Sequence, residues 1–104
     1  MPIRADALQW LMDWYEGQCD GDWEHSYGVR IDTIDNPGWS LKIELTGTRW
    51  SGQTMDRIQH NYDHDTEWWT CWTEKDEFHG AGGPKQLSAI ISTFREWSAQ
   101  HSHS

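Results

Sequence analysis

The stretch that most constrains this chain lies between residues 28 and 45, where apolar and polar residues alternate on either side of a turn cluster. Val29 and Ile31 alternate with Arg30 and Asp32; Asp35, Asn36, Pro37 and Gly38 then intervene; Trp39, Leu41, Ile43 and Leu45 follow, alternating with Ser40, Lys42 and Glu44. A period of two sends successive side chains to opposite faces of an extended backbone. The segment therefore predicts a β-hairpin with one buried face.

Both ends of the chain carry a different period. Residues 5–16 place Leu8, Leu11, Met12 and Tyr15 at helical spacing, flanked by Trp10 and Trp14. That apolar arc is wide enough to predict a helix covered on more than one side, with Asp6 as its cap and Gly17 as its stop. Towards the other end, Leu87, Ile90, Ile91, Phe94 and Trp97 recur at three- and four-residue intervals, which predicts a helix laid on the core. Gly80-Ala81-Gly82-Gly83-Pro84 reads as a helix-entry turn that cannot continue a strand, with Pro84 in the helix's first turn. Met55–Tyr62 and Glu67–Thr73 supply a third and a fourth strand. In the latter, Trp68 and Trp72 fall on one face and Trp69 and Cys71 on the other, so both faces are expected to be covered at least partly. The order helix, strands, helix gives an α+β domain: an antiparallel sheet of about four strands with an N-terminal and a C-terminal helix packed on it. It spans residues 1–100, with 101–104 as a frayed tail.

Composition narrows the partners. Eight Lys and Arg against 17 Asp and Glu leave a net charge of −9, which opposes nucleic-acid backbones and anionic lipid surfaces and favours a basic protein. Nine Trp supply core material. No stretch reaches the ~20 apolar residues of a membrane span, and no signal-peptide pattern opens the chain, so the expected location is cytoplasmic. Cys19 and Cys71 stand far apart outside any CxxC pair, which predicts buried free thiols.

The densest polar run is Cys19-Asp20-Gly21-Asp22-Trp23-Glu24-His25-Ser26-Tyr27-Gly28, between the first helix and the first strand. Carboxylates beside Trp and Tyr suit a protein interface, where aromatics anchor and acids pair with Arg or Lys. A solvated turn, with its Asp residues bonded to nearby backbone N–H groups, explains the run equally well. It fails the calcium-loop pattern, because positions six and twelve counted from Asp20 are His25 and Ile31. His60 and His64 lie four apart without the Glu of HExxH, and on a strand they would stand about 13 Å apart, so a polar rim is the expected role and no metal or cofactor is called for. Two enzyme or ligand readings stay open: a small metal-dependent hydrolase using Glu24, His25 and neighbouring Asp residues, and a Trp-based carbohydrate-binding module. No nucleophile elbow, triad or phosphate-binding glycine loop supports catalysis.

Trp10-Leu11 with Trp14-Tyr15, the run from Gln18 to Gly28, Asp35-Asn36-Pro37-Gly38-Trp39, Trp69 with Cys71, the Phe78–Pro84 segment and the closing Phe94–Trp97 together resemble the immunity protein 53 family of bacterial polymorphic-toxin systems. The resemblance implies a non-enzymatic antidote that binds and blocks a cognate toxin domain; whether the chain acts as a monomer or homodimer stays open. The resemblance does not name the toxin; the chain's acidity makes a basic nuclease the expected one, with Asp20, Asp22, Trp23, Glu24, His25, Tyr27, Asp35 and Asn36 as the expected toxin-binding residues.

Overall fold

A computed structural model describes residues 3–101 of the chain. Helix α1 (Ile3–Gln18) leads through a one-turn helix α2 (Trp23–Ser26) into strands β1 (Val29–Ile34) and β2 (Gly38–Glu44). Strands β3 (Ile58–His60), β4 (Trp69–Glu74) and β5 (Glu77–Gly82) precede the closing helix α3 (Leu87–Gln100). The α+β architecture is the expected one, with five antiparallel strands rather than four, in the order β1-β2-β5-β4-β3.

The predicted hairpin forms with Ile31 opposite Leu41 and Val29 opposite Ile43. Its apolar set continues across β5, where Leu41 pairs with Gly80 and Ile43 with Phe78, and into β4, where Cys71 pairs with Gly80. Helix α3 lies on this face and buries Ile90, Ile91, Phe94 and Trp97. Phe78 packs on Phe94 with ring centroids 4.9 Å apart.

Strand β5 corrects the expectation that the glycine run ends extended structure. Gly80 and Gly82 occupy the core face of a central strand because nothing larger fits: a Cβ on Gly80 would run into Ile90 Cγ2, and one on Gly82 would stand 2.9 Å from the Trp68 carbonyl oxygen. The helix begins only at Leu87, with Gln86 at its N-cap. Pro84 therefore lies in the turn before the helix, not within its first turn.

Helix α1 departs from expectation in another way. Ala7, Leu11 and Trp14, at i, i+4 and i+7, form its buried face, while Leu8, Met12 and Tyr15 are exposed. Helix α3 packs along this face, and Trp23 and Trp50 meet Trp14 near its end, while the Leu8–Met12–Tyr15 side of the apolar arc stays exposed. Asp6 falls inside the helix rather than at its start, and Gly17 precedes the last helical residue, Gln18.

The third strand shrinks to three residues, and the chain before it, 45–57, has no regular structure yet closes one end of the core. Leu45, Trp50 and Met55 are buried. Trp50 Nε1 donates to the Ser98 carbonyl at 2.8 Å, and Met55 N donates to Thr73 Oγ1 at 2.8 Å. Cys71 and Cys19 are both free, Cys71 buried and Cys19 half-buried. Burial pushes the Cys71 thiol up to about 12, which keeps it protonated. His101, expected to fray with the tail, donates its backbone N–H to the Trp97 and Ser98 carbonyls; residues 102–104 lie outside the described range. No described helix is long and apolar enough to cross a membrane.

Candidate functional site

The acidic run between α1 and β1 folds into a self-bonded turn. Asp20 Oδ1 accepts the backbone N–H groups of Asp22 and Trp23, each at 2.9 Å. Glu24 reaches back, accepting from Asp20 N at 3.0 Å and Gly21 N at 2.9 Å, a reciprocal arrangement akin to a capping box. Gly21 permits it by adopting φ of +97°. These contacts hold both carboxyls below the usual carboxylate range: Asp20 chiefly through the Trp23 N–H, Glu24 chiefly through its own N–H and then those of Asp20 and Gly21.

Trp23, expected at an interface, is 4% exposed. Its indole N–H donates to the Thr46 carbonyl at 2.9 Å, and its ring meets Trp14 edge-on with centroids 6.1 Å apart. Trp23 thus pins the turn to the core. Asp20, Asp22, His25, Ser26 and Tyr27 are the exposed side chains of the run, and that of Asp22 makes no capping hydrogen bond.

These residues adjoin a surface the sequence did not point to. The helices occupy one face of the sheet, and the opposite face stays open. A cleft of about 410 Å³ joins the two, lined by residues 25–30 together with Lys42, Glu44 and Glu77. Glu44 and Glu77 stand opposite each other on β2 and β5. Partial burial raises the Glu44 carboxyl above its ordinary value, with Glu77 and Asp76 adding to the effect. The Thr46 hydroxyl lies 3.0 Å from Glu44 Oε2 and 3.1 Å from Asp76 Oδ2; with one proton it can donate to only one of them at a time. Asp76 goes the other way, held below the usual range by Ser51 Oγ at 2.6 Å and Gly52 N at 2.8 Å.

Beside this acidic row, Trp72 is stacked with His79 at 5.2 Å and contacted by the Arg57 guanidinium at 3.9 Å from the ring centroid. His79 Nε2 lies 3.3 Å from Glu77 Oε1. Trp72 is half-buried under these two side chains, and Thr70 on the same face of β4 is 3% exposed, so this face is partly covered, as expected. The signal that could have exposed this face is the alternation Glu77, His79, Ala81 against Phe78, Gly80, Gly82; the glycines disguised it.

Asp35 and Asn36 do not join the others. They sit in the β1–β2 turn, separated from the α1–β1 loop by the length of β1, about 20 Å at ~3.3 Å per residue. Asn36 lines a second cleft, of about 340 Å³, with residues 62–65 and Trp68. The eight expected binding residues therefore divide between two ends of the sheet.

The rival readings fare as follows. Glu24 is engaged by two backbone N–H groups, and among the described residues no three His, Cys, Asp or Glu side chains gather where they could hold a metal ion. His60 stacks on Trp69 at 5.4 Å, whereas His64 Nδ1 accepts from Thr66 N and Glu67 N. Of the nine Trp, four are buried and five half-buried; of the latter, Trp69 is stacked by His60, and Trp72 by His79 and Arg57.

Compared with known proteins, the chain matches the family model for immunity protein 53 over residues 8–99. The chain belongs to the immunity protein 53 family. The match runs from the second turn of α1 to the penultimate residue of α3, taking in both ends of the sheet and its open face. No curated protein and no solved structure matches.

Proposed function

We propose that this chain is a cytoplasmic immunity protein that binds a cognate toxin domain and occludes it, the acidic end of the sheet standing in for the phosphates that a basic nuclease toxin would grip. The observation that carries this reading is membership of the immunity protein 53 family across residues 8–99. The acidic end supports it: Glu44, Asp76 and Glu77 gather at the end of β2 and the β4–β5 turn, and the α1–β1 loop that carries Asp20, Asp22 and Glu24 is tied to the same end by Trp23 Nε1 on the Thr46 carbonyl. Carboxylates already fixed by backbone bonds lose little freedom on binding, so an anionic surface of this kind is preorganised. The net charge of −9 would steer a cationic partner, with on-rates reaching ~10⁸ M⁻¹s⁻¹ at low salt.

Within the reading, roles divide. Asp22, His25 and Tyr27 contact the toxin; Asp20, Glu24 and Trp23 shape the turn that presents them; Asp35 and Asn36 form a separate contact at the far end. Co-expression with the toxin domain encoded next to this gene is the test. Host survival that depends on this chain is the expected result, and toxin killing that continues at full strength overturns the reading.

A further inference from the structure

Strand β1 is a sheet edge: among the described residues it pairs with β2 and nothing else. Gly28 accepts a hydrogen bond from Glu44 N, which places 28, 30, 32 and 34 in the bonded positions towards β2. The backbone N–H and C=O groups of Val29, Ile31 and Thr33 consequently point away from the sheet. Such edges are commonly blunted by Pro, a bulge or charged side chains; β1 has no Pro and no bulge, and its two charges, Arg30 and Asp32, are of opposite sign.

The same edge borders the uncovered stripe of α1. Seven large hydrophobic residues are exposed in the described chain, and five of them, Leu8, Met12, Tyr15, Tyr27 and Ile31, line one groove of about 460 Å³ between α1 and β1. Concentration on one groove, with the other two elsewhere, marks an interaction surface rather than scattered exposure.

We infer that this groove and edge are covered by a second copy of the chain, the two β1 strands pairing antiparallel about a two-fold axis at Ile31. The charge pattern selects the register. With Ile31 opposite Ile31, Arg30 faces Asp32 on both sides of the axis, and the bonded pairs are Ile31 with Ile31 and Val29 with Thr33, the residues whose backbone groups point outward. Moving one strand by two residues puts Arg30 opposite Arg30, or Asp32 opposite Asp32, and moving it by one turns the apolar face of one copy against the polar face of the other. Arg30 and Asp32 have no ion pair within the chain among the described residues. The pairing makes a ten-stranded sheet and brings the Leu8, Met12 and Tyr15 stripes of both copies together beneath it, a self-complementary contact as two-fold symmetry requires.

Sedimentation equilibrium of the full chain at about 100 µM, in ~0.15 M salt that screens the repulsion between two acidic copies, is expected to show dimers. Arg30→Asp and Asp32→Arg each set like charges opposite one another at both symmetric positions and should weaken the dimer about tenfold. Combining them restores opposite charges and should restore the dimer. Both substitutions lie at exposed positions, so melting at a concentration low enough to keep every variant monomeric is expected to be unaltered and serves as the folding check. A monomer at that concentration overturns the inference, as does a dimer indifferent to either single substitution or one that the double substitution does not recover. A monomer whose binding to the neighbouring toxin domain is abolished by Ile31→Lys would assign the groove to the toxin instead. No outcome depends on toxin binding for the dimer itself, so this test and that of the immunity role fail separately.

Discussion

Replacing Gly80 by Ala tests the packing of helix α3 on the sheet at its tightest point. Gly80 lies between Leu41 and Cys71 on the central strand, and an added Cβ would stand well inside the contact distance of Ile90 Cγ2, with Cys71 Sγ at an ordinary 3.5 Å. Ile90 is itself 0% exposed and held in the helix that covers the sheet, so it cannot swing away without disturbing Phe94 and Phe78. Overpacking of this kind costs about 1–3 kcal/mol. Ile90→Ala alone should cost about 2–5 kcal/mol by leaving a cavity. In the double variant the new methyl meets the vacated space, so Gly80→Ala should add little or even recover stability, giving a coupling of about 1 kcal/mol or more. Urea unfolding of the four proteins measures it. Costs that simply add would refute the claim that Ile90 is why this strand carries glycine at position 80.

Other perturbations follow from the same contacts. Trp97 is 6% exposed and packs on Phe78 and Phe94, so Trp97→Ala should lose about 3–5 kcal/mol in denaturant titration. Trp50 and Trp14 are both buried, but Trp50 Nε1 donates to Ser98 O whereas Trp14 Nε1 has no partner among the described residues; Trp50→Phe should therefore cost about 1 kcal/mol more than Trp14→Phe. Asp76→Asn should cost about 1–2 kcal/mol at neutral pH by weakening its bonds to Ser51 and Gly52. Because Asp76 is held below its ordinary value in the fold, its contribution is complete above about pH 4 and disappears as the pH falls through the lowered value. The gap between parent and Asp76→Asn should thus close on acidification, while Glu44, raised in the fold, works in the opposite sense: protonating it relieves a cost.

Sequence pattern revealed the hairpin and both helices because each has a single uninterrupted period. It missed β5 because period-two alternation was carried by Gly80 and Gly82, whose lack of side chain is a packing demand set by a helix ten residues away in sequence. The segment 45–57 was illegible for a related reason: its order comes from long-range bonds, such as Trp50 to Ser98 and Gly52 to Asp76, which leave no local pattern. The acidic run illustrates the limit for function. Its composition suited both an interface and a self-satisfied turn, and the structure assigns Asp20 and Glu24 to the turn and Trp23 to the core. Glu44, Asp76 and Glu77, distant in sequence, were brought to one another by the pairing of β2 with β5.

Calorimetric titration of the purified chain into the purified toxin domain encoded beside it, with toxin activity assayed on the same samples, addresses the proposed role most directly. A stoichiometric complex in which toxin activity disappears, and whose affinity falls with Asp22→Lys, is the predicted result. Absence of a complex, with the toxin fully active in excess of this chain, would contradict it.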